Sequence, residues 1–129
     1  MRPRVLLVDD EPAILEALSL ALGRPTADAP EIETVTSAKD ALDRLAAGAF
    51  AMVIADYRMP GMDGVELLEK VRADYPQTVR GLLTGFHDLD IAVAASERAS
   101  VHYYLQKPWD TEELREVVRE AVRGAWKTS

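Results

Sequence analysis

The hydrophobic pattern of the chain switches repeatedly between short apolar runs and stretches spaced for helices. Arg4-Val5-Leu6-Leu7-Val8 and Met52 to Ala55 are continuous apolar runs of the kind found in strands buried on both faces. Each stops on carboxylates, Asp9-Asp10-Glu11 after the first and Asp56 after the second. Three further strand signals lie at Glu31 to Thr36, Val79 to Thr84 and Val101 to Gln106. Between them, Ile14, Leu15, Leu18 and Leu22 repeat at helical spacing behind Pro12, with Gly23 as terminator. Ser37 and Asp40 cap a helix carrying Ala38, Ala41, Leu42 and Leu45 and closed by Gly48. Asp63 and Glu66 cap another with Leu67, Leu68 and Val71 facing in, and Pro76 lies beyond its end. Asp88 to Arg98 reads as an alanine-rich, weakly patterned helix. The clearest helix starts near Thr111, capped by Asp110 and Glu113, with Leu114, Val117, Val118, Ala121, Val122 and Ala125 on one stripe. Gly23 to Pro30 reads as one longish loop.

Five strands alternating with five helices predict an α/β fold, a doubly wound parallel sheet covered on both faces. A Rossmann half would need Gly-x-Gly-x-x-Gly after the first strand. Asp9-Asp10-Glu11-Pro12 stands there instead and would repel a pyrophosphate. The flavodoxin-like strand order 2-1-3-4-5 is therefore expected.

Composition narrows the picture. At 129 residues the chain is expected to be one domain over 1–129, with no effector domain after the last helix. Hydrophobic content of 48% and charged content of 29% suit a globular protein. The sequence has neither an apolar run long enough for a membrane span nor a basic-then-apolar leader, and its lack of cysteine suits a reducing cytoplasm. A net charge of −7 argues against nucleic-acid binding by this domain.

The polar residues that end the inner strands carry the chemistry. In a parallel sheet Asp9, Asp10, Asp56, Thr84 and Lys107 converge on one edge, where open α/β sheets bind ligands. Close carboxylates raise one another's pKa values unless a cation intervenes, and an all-oxygen set suits Mg²⁺. Lys107 adds a positive charge and Thr84 a hydroxyl donor, both placed for an anion that also meets the metal. A phosphoryl group fits, with a carboxylate as its nucleophile. Each residue has a plainer reading, as helix start, turn or snorkelling lysine. Their joint arrangement outweighs those readings.

With these residues in place, the sequence resembles the receiver domains of bacterial two-component response regulators. The matching pieces are Val8-Asp9-Asp10-Glu11-Pro12, Ala55-Asp56-Tyr57-Arg58-Met59-Pro60-Gly61-Met62-Asp63-Gly64, Leu83-Thr84-Gly85 and Tyr104-Leu105-Gln106-Lys107-Pro108. The resemblance implies that Asp56 accepts a phosphoryl group from a sensor histidine kinase or phosphotransfer protein. Mg²⁺ would be held by Asp9, Asp10, Asp56 and the backbone carbonyl of Arg58. Thr84, Gly85 and Lys107 would contact the phosphoryl group, and Lys107-Pro108 would be a cis peptide. Thr84 and Tyr104 match the family's switch pair. Arg58 and Phe86, two past the acceptor and two past the threonine, would set the lifetime of the phosphorylated state. The resemblance implies a signalling switch rather than an enzyme. Two rivals are an Asp-nucleophile hydrolase of the haloacid dehalogenase type, which would carry Asp-x-Asp after the first strand, and a flavin-binding flavodoxin-like module, which would need a Ser/Thr-rich loop there.

Other residues receive structural readings. His87 and His102 have no partner at metal-ligand spacing and read as surface or structural. Trp109 is expected to pack against the last helix. On that helix Arg115, Arg119, Arg123 and Lys127 recur beside Glu112, Glu116 and Glu120. A solvated face with i,i+3 pairs is the preferred reading, and a docking or homodimer face is the alternative.

Overall fold

The computed structural model describes residues 2–23, 29–85 and 88–128. Five parallel strands form one sheet in the order β2-β1-β3-β4-β5, as the alternating pattern predicts. They are β1 (Arg4–Val8), β2 (Glu31–Val35), β3 (Met52–Asp56), β4 (Val79–Thr84) and β5 (Tyr103–Gln106). The helices are α1 (Pro12–Leu22), α2 (Ala38–Ala47), α3 (Gly64–Asp74), α4 (Leu89–Ala95) and α5 (Thr111–Thr128).

Alternation along the central strands sorts the core into two layers. Val5, Leu7, Ile54 and Leu83 pack under Leu15 and Leu18 of α1 and Leu114, Val118 and Ala121 of α5. Leu6, Val8, Val53, Ala55 and Leu82 pack under α2, α3 and α4. Because β3 is covered on both sides, all five of its residues are buried, including the terminal Asp56. Trp109 packs onto the α1–α5 layer.

The predicted caps form. Ser37 accepts from the Asp40 amide, Asp63 and Glu66 make a reciprocal capping box, and Asp110 accepts from the Glu113 amide. Gly23 caps α1, with its amide donating to Ser19. The predicted 23–30 loop lies mostly outside the described residues.

Two boundaries differ from the sequence reading. The predicted Asp88–Arg98 helix is only seven residues of α-helix, Leu89–Ala95, followed by a 3-10 turn at Ser96–Ala99. Val101 and His102 of the expected Val101–Gln106 strand are not in the ladder, so β5 begins at Tyr103. Both differences trace to Arg80 on β4. Its guanidinium donates to the carbonyls of Ala99 (2.9 Å), Ser100 (3.3 Å), Thr78 (2.9 Å) and Pro76 (3.3 Å). Drawing those carbonyls inward tightens the helix end, and Ser100 takes a left-handed φ of 47° as the chain turns back. His102 completes the junction, its Nδ1 accepting from the Arg80 amide at 3.0 Å. It is a structural histidine, as expected.

Candidate functional site

The carboxyl ends of β1, β3, β4 and β5 bring together the residues that the sequence singled out. Asp9 and Asp56 are buried and Asp10 is exposed, yet carboxylate oxygens of all three lie within 4.8 Å of one another. The Lys107 ammonium sits between two of them, 3.2 Å from Asp9 Oδ2 and 3.2 Å from Asp56 Oδ1. Asp9 Oδ1 accepts from the Glu11 amide at 2.9 Å, which ties this carboxylate to the start of α1. The Lys107 amide donates to the Thr84 carbonyl at 2.8 Å, fixing β5 against β4 at the site. The Lys107–Pro108 peptide is cis.

The electrostatics are unbalanced. Burial, then the charge on Asp9, pushes the Asp56 carboxyl up to about 6, against the opposing pull of Lys107. Burial pushes the Lys107 ammonium down, but the charges of Asp56 and Asp9 outweigh it and its pKa lies above the usual lysine value. One ammonium thus serves a group of three carboxylates.

Two buried polar atoms are left without a hydrogen bond among the described residues, Asp9 Oδ2 and Thr84 Oγ1. Asp9 Oδ2 has the Lys107 charge beside it, but without hydrogen-bonding angles. A buried polar group left unpaired costs about 1–3 kcal/mol. An acceptor and a donor that both lack hydrogen bonds among the described residues, on one strand edge, fit a site built for a cation and an anion together. The donor set is all oxygen and carries three negative charges, which fits a hard divalent cation.

The loop after β3 is shaped by its glycines. Gly61 has φ +79°, a conformation that L side chains rarely adopt. Gly64 packs so closely behind the acceptor that a Cβ there would collide with the Asp56 carbonyl and touch Leu82. The Tyr57 amide donates to the Leu83 carbonyl (2.9 Å), and the Gly64 amide to the Tyr57 carbonyl (2.9 Å). The main chain on both sides of Arg58 is therefore held.

The Arg58 side chain is turned to Asp88. Its Nε and Nη2 donate to the two Asp88 carboxylate oxygens, both at 2.6 Å. Tyr104 lies opposite Leu82 in the ladder, partly buried on the same face as Thr84. Phe86 and His87 lie outside the described residues. On α5 the charges pair within the helix, Arg115 with Glu112 at 3.0 Å and Arg119 with Glu116 at 3.9 Å. Arg115 also donates to the Ala21 carbonyl at the end of α1 (2.8 Å).

Three contributors were missed from the sequence. Asp88 read only as a helix start, Gly64 only as the last residue of the matching motif, and Arg80 only as part of a strand. Asp88 and Arg80 act over long sequence separations and leave no periodic signal. The Asp-Gly pair at 63–64 was visible, but not the contact that demands it.

Comparison with known proteins shows the family to which this fold belongs. The family model described as the response regulator receiver domain matches residues 5–119. The chain belongs to this receiver-domain family. The receiver domain is 40% identical over 126 residues to the response regulator protein FleR of Pseudomonas aeruginosa, covering 96% of this chain and 25% of FleR. It is 37% identical over 120 residues to the hydrogenase transcriptional regulatory protein HoxA of Cupriavidus necator, covering 93% of this chain and 24% of HoxA. It spans about a quarter of the length of these curated relatives. Among solved structures, the signal receiver domain of an HD domain-containing protein from Pseudomonas fluorescens superposes with a TM-score of 0.90. That match has 35% identity and covers 98% of this chain and 91% of the other. Receiver domains accept phosphoryl groups from histidine kinases and bind Mg²⁺ at an acidic pocket. The hydrolase and flavin-binding alternatives are not favoured. No helix among the described residues is long and apolar enough to cross a membrane.

Proposed function

We propose that Asp56 is the phosphoacceptor of this receiver, taking the phosphoryl group from the phosphohistidine of a sensor histidine kinase or phosphotransfer protein in the cytoplasm. The observation that carries this is the buried Asp56 carboxylate at the end of β3, grouped with Asp9 and Asp10 and facing Lys107. The three carboxylates and the Arg58 carbonyl would hold Mg²⁺. When bound, the cation neutralises the carboxylates and the charge that develops on the transferring group.

The chain's own residues do the remainder. An ionised Asp56 oxygen attacks phosphorus as the N–P bond of the donor breaks, and the imidazole nitrogen leaves with that bond's electron pair. Lys107 is already within 3.2 Å of Asp56 Oδ1 and can bond a phosphoryl oxygen with little movement. Thr84 Oγ1, lacking a partner among the described residues, donates to another, beside the open backbone of Gly85. Drawing Thr84 toward the phosphoryl group vacates space on the face it shares with Tyr104, which is how the two act as a switch pair. Arg58 and Phe86 set the phosphorylated lifetime, the part of Phe86 resting on its sequence position alone.

Incubation with Mg²⁺ and acetyl phosphate, followed by intact-mass measurement, tests this reading. The wild type should gain a single phosphate, and Asp56→Asn none. Substantial phosphate on the variant, or full loading of the wild type in EDTA, would overturn it.

A further inference from the structure

The Arg58–Asp88 pair is placed where the site meets α4. Arg58 is two residues past Asp56, and Asp88 directly precedes α4. Their strands are adjacent, with Asp56 opposite Leu83 in the ladder. The pair therefore bridges the loops after β3 and β4 at the mouth of the site.

The two partners differ in freedom. The Asp88 side chain is only 10% exposed, whereas that of Arg58 is 73% exposed. Arg58 also lines an open cleft of about 420 Å³ with Asp10, Tyr57, Met59, Pro60 and Asp63. The exposed partner is thus the cation, with open space on the side of Asp10. The hydrogen bonds and charge of Asp88 raise its pKa above the usual arginine value.

We propose that Arg58 exchanges partners during signalling: Asp88 holds its guanidinium while Asp56 is unmodified, and the phosphoryl oxygens take it once Asp56 is phosphorylated, releasing the start of α4 from this tether. The proposal rests on the reading of Asp56 as phosphoacceptor. A guanidinium binds a carboxylate or a phosphoryl group through the same two-pronged geometry. A phosphoryl group brings roughly 1.5–2 negative charges against the single charge of Asp88. Water around the exposed guanidinium screens even this two-pronged pair, so an anion of higher charge can compete for it.

The far end of α4 makes the release directional. There the 3-10 turn is anchored by Arg80 to Ala99 and Ser100, and Arg72 donates to the Arg98 carbonyl at 2.9 Å. Loss of the Arg58 tether therefore loosens one end of a short helix whose other end stays fixed. That helix exposes Ile91 and Val93, so its movement changes an apolar part of the surface.

The test uses the full chain in Mg²⁺ buffer, titrated with beryllofluoride as a phosphoryl stand-in and followed by backbone amide NMR. Asp88→Asn should bind about 3-fold more tightly than wild type and Arg58→Gln about 3-fold more weakly, the range of one exposed ion pair. The double variant should match Arg58→Gln, because Asp88 then has no guanidinium to withhold. Without beryllofluoride, Asp88→Asn should move the Leu89–Val93 amides toward their wild-type bound positions. A static clamp would instead give both single variants the same sign. Equal signs, an unchanged Asp88→Asn, or a double variant tighter than Arg58→Gln overturns the exchange while leaving Asp56 as acceptor. Failure of wild type to bind beryllofluoride overturns both readings.

Discussion

Arg58 and Arg80 secure opposite ends of the same helix by different physical means. Arg80 is 4% exposed and, among the described residues, its guanidinium donates to backbone carbonyls that have fixed places in the fold. Burial, then Arg72, lowers its pKa below the usual arginine value. Arg58 stands largely in water and holds one carboxylate. A guanidinium bonded to several main-chain carbonyls releases none of them without disrupting the turn. One paired with a side-chain anion can trade it for a better anion. The contrast repeats along one face of β4, where Arg80 is saturated with partners and Thr84 Oγ1 has none among the described residues. One end is built to stay and the other to respond.

The largest expected effect breaks the fixed end. Arg80→Met leaves the carbonyls of Thr78 and Ala99 without their donors and should destabilise the protein by about 3 kcal/mol in urea unfolding. Arg58→Met should leave the urea midpoint essentially unchanged. Similar losses for both variants would erase the distinction between the two arginines.

The responsive end should show its strain in pH dependence. In metal-free buffer the folded-state pKa of Asp56, about 6, lies above its ordinary 3.8. Its contribution to stability is therefore fully present below pH ~4 and lost as pH rises through ~6. Asp56→Asn removes that loss and should stabilise the metal-free protein by about 2 kcal/mol at pH 8, the gain vanishing near pH 4. His102, at the fixed end, works in the other sense. Burial, then Arg80, lowers its pKa, so its contribution is present above the ordinary 6.5 and falls away as the medium becomes acidic. A variant no more stable than wild type at pH 8 would mean that the acceptor carboxylate is not strained.

A smaller effect sharpens how rigidly the acceptor is backed. In Gly64→Ala the added Cβ must displace the Asp56 carbonyl or the loop, at a cost of about 1–2 kcal/mol. Phosphate loading from acetyl phosphate should slow with it, read by intact mass over time. Wild-type loading with full stability would show that the loop yields freely.

Much of this was legible in the sequence because it is local or periodic. Apolar runs ending on acids predict both the strand order and the edge where Asp9, Asp10, Asp56, Thr84 and Lys107 meet. Cap residues at Ser37, Asp63 and Asp110 place their helices. The end of α4 was not legible, since an alanine-rich stretch favours continued helix and side chains from elsewhere, Arg80 of β4 and Arg72 of α3, hold the turn that curtails it. The start of β5 shifts for the same reason. The Arg58–Asp88 pair joins residues 30 apart in the chain, and nothing in their spacing announces it. Sequence pattern reported which side chains share an edge, but not which of them hold one another.

Hydrogen exchange of the full chain in Mg²⁺ buffer, with and without beryllofluoride, tests the division between the two ends most directly. The account predicts altered protection of the amides from Asp88 through Ala92, with those of Arg80 and Ser100–His102 unchanged. Equal changes at both ends, or no change at the start of α4 despite bound beryllofluoride, would contradict it.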